Sequence, residues 1–165
     1  MASTATSTWA DFVSAEPRFA GAVRRRFEKY PHHVLATVRK DGSPRVTGLE
    51  VTFLFGELWL GMMSNSWKAR DLLRDPRCAV HTNPGAGNEM ADGDARIGGR
   101  AVEEADAAVI ARFVAEVAPP VPFHLFRVEL GEVVQTCVEG DDLVVRAWRP
   151  GRALRTVRRG PGEGR

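Results

Sequence analysis

Several things are scarce in this sequence, and each shortage excludes something. Among 165 residues there are only two cysteines, Cys78 and Cys137. Both sit in apolar, strand-like surroundings, which suits buried free thiols rather than a disulfide framework. The four histidines do not make a metal site: His32 and His33 are adjacent, so a strand would point them to opposite faces, and His81 and His124 stand alone. No apolar run is long enough to span a bilayer. The first residues, Met1 to Trp9, lack a basic stretch followed by an apolar core, so no secretory signal is expected and the chain reads as cytoplasmic. No glycine-rich fingerprint follows a first strand, which argues against a dinucleotide-binding α/β sheet. There is no internal repeat and no recognisable catalytic triad.

What is present is a globular composition, 44% hydrophobic, in a length that fits one domain with a real core. The net charge of +2 hides an asymmetry. From Arg146 to Arg165 the chain carries Arg146, Arg149, Arg152, Arg155, Arg158, Arg159 and Arg165 against a single acid, Glu163. With only Trp148 as an aromatic and no nucleic-acid motif, this stretch reads as a solvated tail or a cluster facing an anionic ligand, not as a nucleic-acid surface.

The periodicity changes along the chain. Trp9, Phe12, Val13, Phe19, Ala20, Val23 and Phe27 share a helical stripe, with Thr8 as a cap and Pro17 as a break. Arg24, Arg25 and Arg26 read as a solvated face. Residues 33–38 read as a strand, Asp41-Gly42 as a hairpin turn, and Pro44 to Leu54 as the return strand. Leu58–Met62, residues 78–82 and Asp94 to Val102 read as further strands. Lys68–Arg74 reads as a helix packed through Leu72 and Leu73, and Glu103 to Ala118 as another. Asn83 to Asp92 reads as an exposed loop. Phe123 to Val138 reads as one long strand bulged at Gly131, followed by Leu143–Trp148. So many antiparallel strands hide their edges best in a closed or nearly closed sheet. The expected fold is mainly β (α+β), a barrel with peripheral helices. Residues 1–31 would be a helical extension, 32–155 the barrel and 156–165 a flexible basic tail.

One stretch stands at the centre of this plan. Gly61-Met62-Met63-Ser64-Asn65-Ser66-Trp67-Lys68-Ala69-Arg70 runs from a strand through a polar turn into a helix. A helix start exposes unpaired N–H groups and the positive end of the helix dipole, which suit a phosphate. Ser64 and Ser66 could add hydroxyl donors, and Lys68 and Arg70 charge. The plainer alternative is that Ser66 caps a surface helix and the two cations are solvated.

Four stretches, "HHVLATVRKDGSPRVTGLEV", "LWLGMMSNSWKARDLLRDPRCAV", "GDARIGGRAVE" and "VVRAWRPG", resemble in order and spacing the flavin-binding split-barrel family. That family includes pyridoxamine 5′-phosphate oxidases and deazaflavin-dependent reductases. The resemblance implies a split β-barrel of about six or seven antiparallel strands and a cofactor held at a homodimer interface. By it, Arg45 and Thr47 would face the phosphate or ring, and Met62 and Met63 would run beside the isoalloxazine. Ser66 and Lys68 match the oxidases' phosphate turn. Trp67 replaces an arginine there, a loss that Arg70 or Arg45 would make good. Trp148 and Arg152 would come from the partner subunit.

FMN is the cofactor so implied, with the deazaflavin coenzyme F-420 as the alternative, whose acidic tail would give Arg96, Arg100 and Arg152 a purpose. The implied activity is hydride transfer to or from a small organic substrate, with the flavin carrying the chemistry. "GDARIGGRAVE" stands where the oxidases carry their substrate-binding strand, so oxidation of pyridoxamine phosphate is not expected. The other readings are a flavin or haem carrier or sensor without turnover, and a cofactor-free barrel used for protein contacts.

Overall fold

The computed structural model describes residues 5–85 and 93–161. The chain opens with two helices, α1 (Trp9–Ala15) and α2 (Pro17–Glu28). The Thr8 hydroxyl accepts the Asp11 N–H at 3.1 Å, and the Asp11 carboxylate accepts the Thr8 N–H at 3.0 Å. This reciprocal cap satisfies donors that a helix start leaves open. Pro17 occupies the first turn of α2, where its missing N–H costs nothing. Trp9, Phe12, Phe19, Val23 and Phe27 are all buried, in the same core as Leu35, Leu60, Ile97 and Val128 of the strands. The helical segment is thus a wall of the barrel and not an appendage to it.

The strands are β1 (His33–Val38), β2 (Pro44–Leu49), β3 (Thr52–Leu54), β4 (Glu57–Met63), β5 (Arg77–His81), β6 (Asp94–Glu103), β7 (Phe123–Glu139), β8 (Asp142–Trp148) and β9 (Arg155–Arg159). Helix α3 (Trp67–Arg74) joins β4 to β5, and α4 (Ala107–Val117) joins β6 to β7. All pairings are antiparallel, in the order β2-β1-β5-β6-β7-β4-β3, with β8 on β7 and β9 on β8. The fold is mainly β, a split barrel with peripheral helices.

β7, with 17 residues, is the spine. Its first part, Phe123 to Arg127, pairs with β4, and its last part, Val133 to Glu139, pairs with β8. Along its other edge β6 follows it, with Gly98 opposite Glu132 and Gly99 opposite Leu130. Gly131 is thereby left out of register, which is the bulge expected there. A Cβ on Gly99 would lie 2.0 Å from the Glu129 carbonyl oxygen, so only glycine closes the sheet at this point.

Elsewhere the structure corrects the sequence reading. The return strand expected from Pro44 to Leu54 is broken at Glu50 and Val51. β2 and β3 lie at opposite ends of the strand order, and no continuous strand reaches both. Leu73 is 50% exposed while Leu72 is buried, because neighbours on a helix point about 100° apart and α3 offers the core Ala69 and Leu72 instead. Arg26 is not part of a solvated face. It is 4% exposed, and it donates to the carbonyls of Gly93 and, at 3.0 Å, Asn83, clamping the approach to β6. The basic segment 156–165 begins as strand β9, in register from Arg155 opposite Ala147 to Arg159 opposite Leu143. Arg158 meets Glu139 at 2.5 Å there, so a cross-strand carboxylate offsets the charge that a tail would leave to solvent. Residues 162–165 of that segment, and 86–92 of the loop expected from Asn83 to Asp92, lie outside the described residues.

Both cysteines are free thiols. Burial pushes the Cys78 thiol up to about 12, which makes it a poor nucleophile. Among the described residues no helix is long and apolar enough to cross a membrane.

Candidate functional site

The site grows from one buried carboxylate. Asp71, on the inner face of α3, is 3% exposed. Its Oδ2 accepts from Arg45 Nε of β2 at 2.6 Å and from the Thr37 hydroxyl of β1 at 2.9 Å, and Oδ1 accepts from both Arg74 terminal nitrogens at 3.3 and 3.4 Å. Burial works to raise its pKa, but the hydrogen bonds from Arg45, Thr37 and Arg74 outweigh burial and hold it below the usual carboxylate range. Arg45 meets this carboxylate through its Nε alone.

The Arg45 guanidinium lies 5.7 Å from the ring of Trp67, and that of Arg70 5.2 Å from the same ring. Trp67 itself is 66% exposed. Its indole is thus an external platform with two cations drawn to it.

The turn ahead of α3 is built to present donors. Asn65 takes a left-handed φ of 59°, a conformation its short polar side chain tolerates. The Ser66 side chain accepts from the Ala69 N–H at 3.4 Å, and its carbonyl accepts from Arg70 N–H at 3.0 Å. Among the described residues the N–H groups of Trp67 and Lys68 find no acceptor. Lys68 Nζ reaches back to the Gly48 carbonyl of β2 at 2.7 Å, and burial lowers its pKa. An anion at this point would relieve that desolvation cost.

Two cavities meet the turn. At its helix end, one of about 630 Å³ is lined by Arg39, Lys40, Arg45, Trp67, Arg70 and Arg74, with Asp41 and Asp71. At its strand end, one of about 540 Å³ is lined by Gly61, Met62, Met63 and Ser64, by Phe113 and Val117 of α4, and by residues 118–123. The first is basic, the second apolar.

Trp67 brings Arg45 and Arg70 together, while Ser66 caps α3 and Lys68, in its first turn, reaches Gly48 instead. Thr47 lies two residues along β2 from Arg45, and its buried hydroxyl oxygen lacks any hydrogen-bond partner. Met62 and Met63 divide: Met62 is 5% exposed and belongs to the core, whereas Met63 is 78% exposed. Trp148 is a correction. It is 3% exposed, with its ring 4.6 Å from that of Phe12, so it is core and has no face left for a partner's ligand. Arg152 is exposed in the turn between β8 and β9. Arg96 is held by Glu132 at 2.7 Å, which spends the charge expected to attract an acidic tail. The histidines stay apart, His33 buried and His32 exposed as alternation requires, and the described residues hold no cluster suited to a metal ion.

The sequence profile of the pyridoxamine 5′-phosphate oxidase family matches residues 19–137, which span β1 to most of β7 and include every residue of the turn. The chain belongs to that family. Several solved structures share its fold. A pyridoxamine 5′-phosphate oxidase-related, FMN-binding protein of Nostoc punctiforme is 16% identical, with a TM-score of 0.60 over 88% of this chain and 96% of that one. PhzG of Burkholderia lata, in complex with tetrahydrophenazine-1-carboxylic acid, is 16% identical with a TM-score of 0.58 over 92% of both chains. HutZ, the heme storage protein of Vibrio cholerae, is 18% identical with a TM-score of 0.53 over 70% of this chain and 89% of that one. At such identities these likenesses speak for the fold alone. No curated protein matches the chain in sequence.

Two features of this family member escaped the sequence reading. Asp71 organises the basic side and is the sole acid in α3, which was its only signal. The segment 118–123 walls the apolar cavity, though its prolines read simply as a helix stop.

Proposed function

We propose that the protein binds FMN at a homodimer interface and acts as an oxidoreductase on a small organic substrate. One observation carries this reading. The start of α3 offers two unpaired N–H groups, the Ser66 hydroxyl and the Lys68 ammonium, and an apolar cavity opens at the other end of the same turn. A group with a phosphate at one end and a flat apolar ring at the other fits that pairing of chemistries. The unpartnered hydroxyl of Thr47 on the adjoining strand is a further polar atom that a ligand would satisfy.

Within this reading Ser66, Lys68 and the two backbone N–H groups hold the phosphate, and Arg45, aimed by Asp71, adds charge. Met63 covers ring surface. The bound isoalloxazine supplies the hydride chemistry, which explains a site without a general acid or base of its own. Val46, Met63, Trp67 and Val121, between 66% and 78% exposed, are the large apolar side chains that a second subunit would cover.

Absorbance-monitored titration with FMN and with the deazaflavin coenzyme tests the reading, followed by steady-state reduction of a substrate panel. Saturable FMN binding with turnover supports it, and a protein that binds neither cofactor sinks it. A second reading, a flavin or haem carrier without turnover, shares the fold of HutZ and the lack of acid–base groups. Tight binding with no turnover on any substrate would favour it.

A further inference from the structure

The two cavities that meet the turn differ in charge as well as polarity. The basic one collects Arg39, Lys40, Arg45, Arg70 and Arg74. Among the described residues no lysine or arginine lines the apolar one, and its charged group there is Glu50, in the short link between β2 and β3. Glu50 lies 3.5 Å from the exposed His32 ring.

The backbone of the apolar cavity reinforces the difference. Pro119, Pro120 and Pro122 form much of one wall, and a proline has no N–H. A wall that lacks cationic side chains and, at its three prolines, backbone donors is poorly suited to solvate an anion. Phe113, Val117, Val121 and Phe123 supply apolar surface, and the hydroxyls of Thr52 and Ser64 are the uncharged polar groups at its edge.

We infer that this cavity, with the flavin ring against its Met62–Met63 side, holds the substrate against its opposite wall, and that it takes an apolar molecule carrying one protonated amine, turning away phosphorylated and carboxylated molecules. Its role as substrate pocket rests on the flavin reading; the chemistry of its ligand does not. The aromatic or aliphatic body lies against Phe113, Val117 and Phe123, and the ammonium faces Glu50. The eponymous substrate of the family, a phosphate ester, would bring two negative charges into a space that offers no counter-charge.

The test is a calorimetric titration of the full chain, with and without saturating FMN, using three probes that share a phenylethyl body. Phenethylamine carries an ammonium, hydrocinnamate a carboxylate, and phenethyl alcohol no charge. Phenethylamine should bind about tenfold more tightly than hydrocinnamate. Because Glu50 is well exposed, Glu50→Gln should weaken phenethylamine only about threefold, and leave phenethyl alcohol unchanged. Gly61→Val places a side chain in the cavity without a clash, since a Cβ at Gly61 meets nothing within 4 Å, and it should abolish binding of all three probes.

Equal or tighter binding of hydrocinnamate overturns the charge selection, and binding that survives Gly61→Val overturns the location. If FMN displaces phenethylamine, the cavity belongs to the ring, and the substrate role falls while the cofactor reading stands. If FMN does not bind, the cofactor reading and the substrate role fall together, and the probes still decide the ligand chemistry of the cavity.

Discussion

Asp71 accepts the Arg45 guanidinium at 2.6 Å while 3% exposed, and so ties α3 to the edge strand β2 through charge. The same oxygen accepts the Thr37 hydroxyl of β1, so a single carboxylate fixes the helix against two strands. Replacing it by an amide leaves two guanidiniums without their counter-ion in a half-buried position. Asp71→Asn is expected to cost about 3 kcal/mol of stability and to weaken FMN binding by freeing Arg45. Chemical denaturation and FMN titration check the two effects; an unchanged denaturation midpoint would remove Asp71 from its organising place.

Lys68→Ala should weaken FMN retention by about 1.5–3 kcal/mol, the usual worth of a hydrogen bond to a charged group. Fluorescence titration measures it. Trp148→Phe, a core change, should lower stability and leave that affinity alone. If the order of effects is reversed, the partner-subunit role first expected for Trp148 returns and the phosphate role of Lys68 is lost.

Acid sensitivity has a local source at the end of α3. Hydrogen bonds from Arg77 hold the Asp75 carboxyl down to about 2. A lowered folded-state pKa contributes stability that is fully present above the unfolded value, about 3.9. It is lost as pH falls from there through about 2. Arg77 is mostly exposed, so solvent screening cuts the contribution to about 1 kcal/mol. Thermal melts of Asp75→Asn and the unaltered protein should therefore differ at neutral pH and converge at the acid end of the series.

Gly99→Ala is expected to be among the costliest small substitutions, about 2–4 kcal/mol, because the backbone of β6 or β7 must move to admit a methyl group. Gly98→Ala, one residue away, meets nothing within 4 Å and should cost far less. Similar losses at the two positions would contradict the tight approach at the bulge.

The homodimer reading is checked by light scattering at micromolar concentration. The chain should run as a dimer, and Val46→Lys, which charges an exposed residue of the edge strand β2, should raise its dissociation constant about tenfold or more. A monomeric unaltered chain would leave the exposed apolar side chains without the cover proposed for them.

Much of this was legible in the sequence because local rules wrote it there. Thr8 announces a capped helix, Asp41-Gly42 a hairpin, and Gly131 a bulge, and each is where those residues put it. The strand-turn-helix junction capped by Ser66 was legible for the same reason, since it is one contiguous stretch. What was hidden depends on partners far along the chain. Arg26 looks like its neighbours Arg24 and Arg25 until the carbonyls of Asn83 and Gly93 come to it. β9 looks like a loose tail until β8 and Glu139 are beside it. Trp148 fits a ligand site or a core equally well until Phe12 is placed against it. Pattern within ten residues reads element by element, and pairing across a hundred does not.

Ser7 bridges Leu130 in both directions, its N–H to that carbonyl at 3.0 Å and the Leu130 N–H back at 2.7 Å. The earliest described part of the chain is thus stitched to the middle of its last long strand. During synthesis this bridge forms only after the chain has been made past Leu130. The Trp148 ring that packs on Phe12 arrives later still, a delay that contacts of such long separation impose on folding. Phe12 is therefore among the apolar side chains that a nascent, incomplete chain would show to a chaperone.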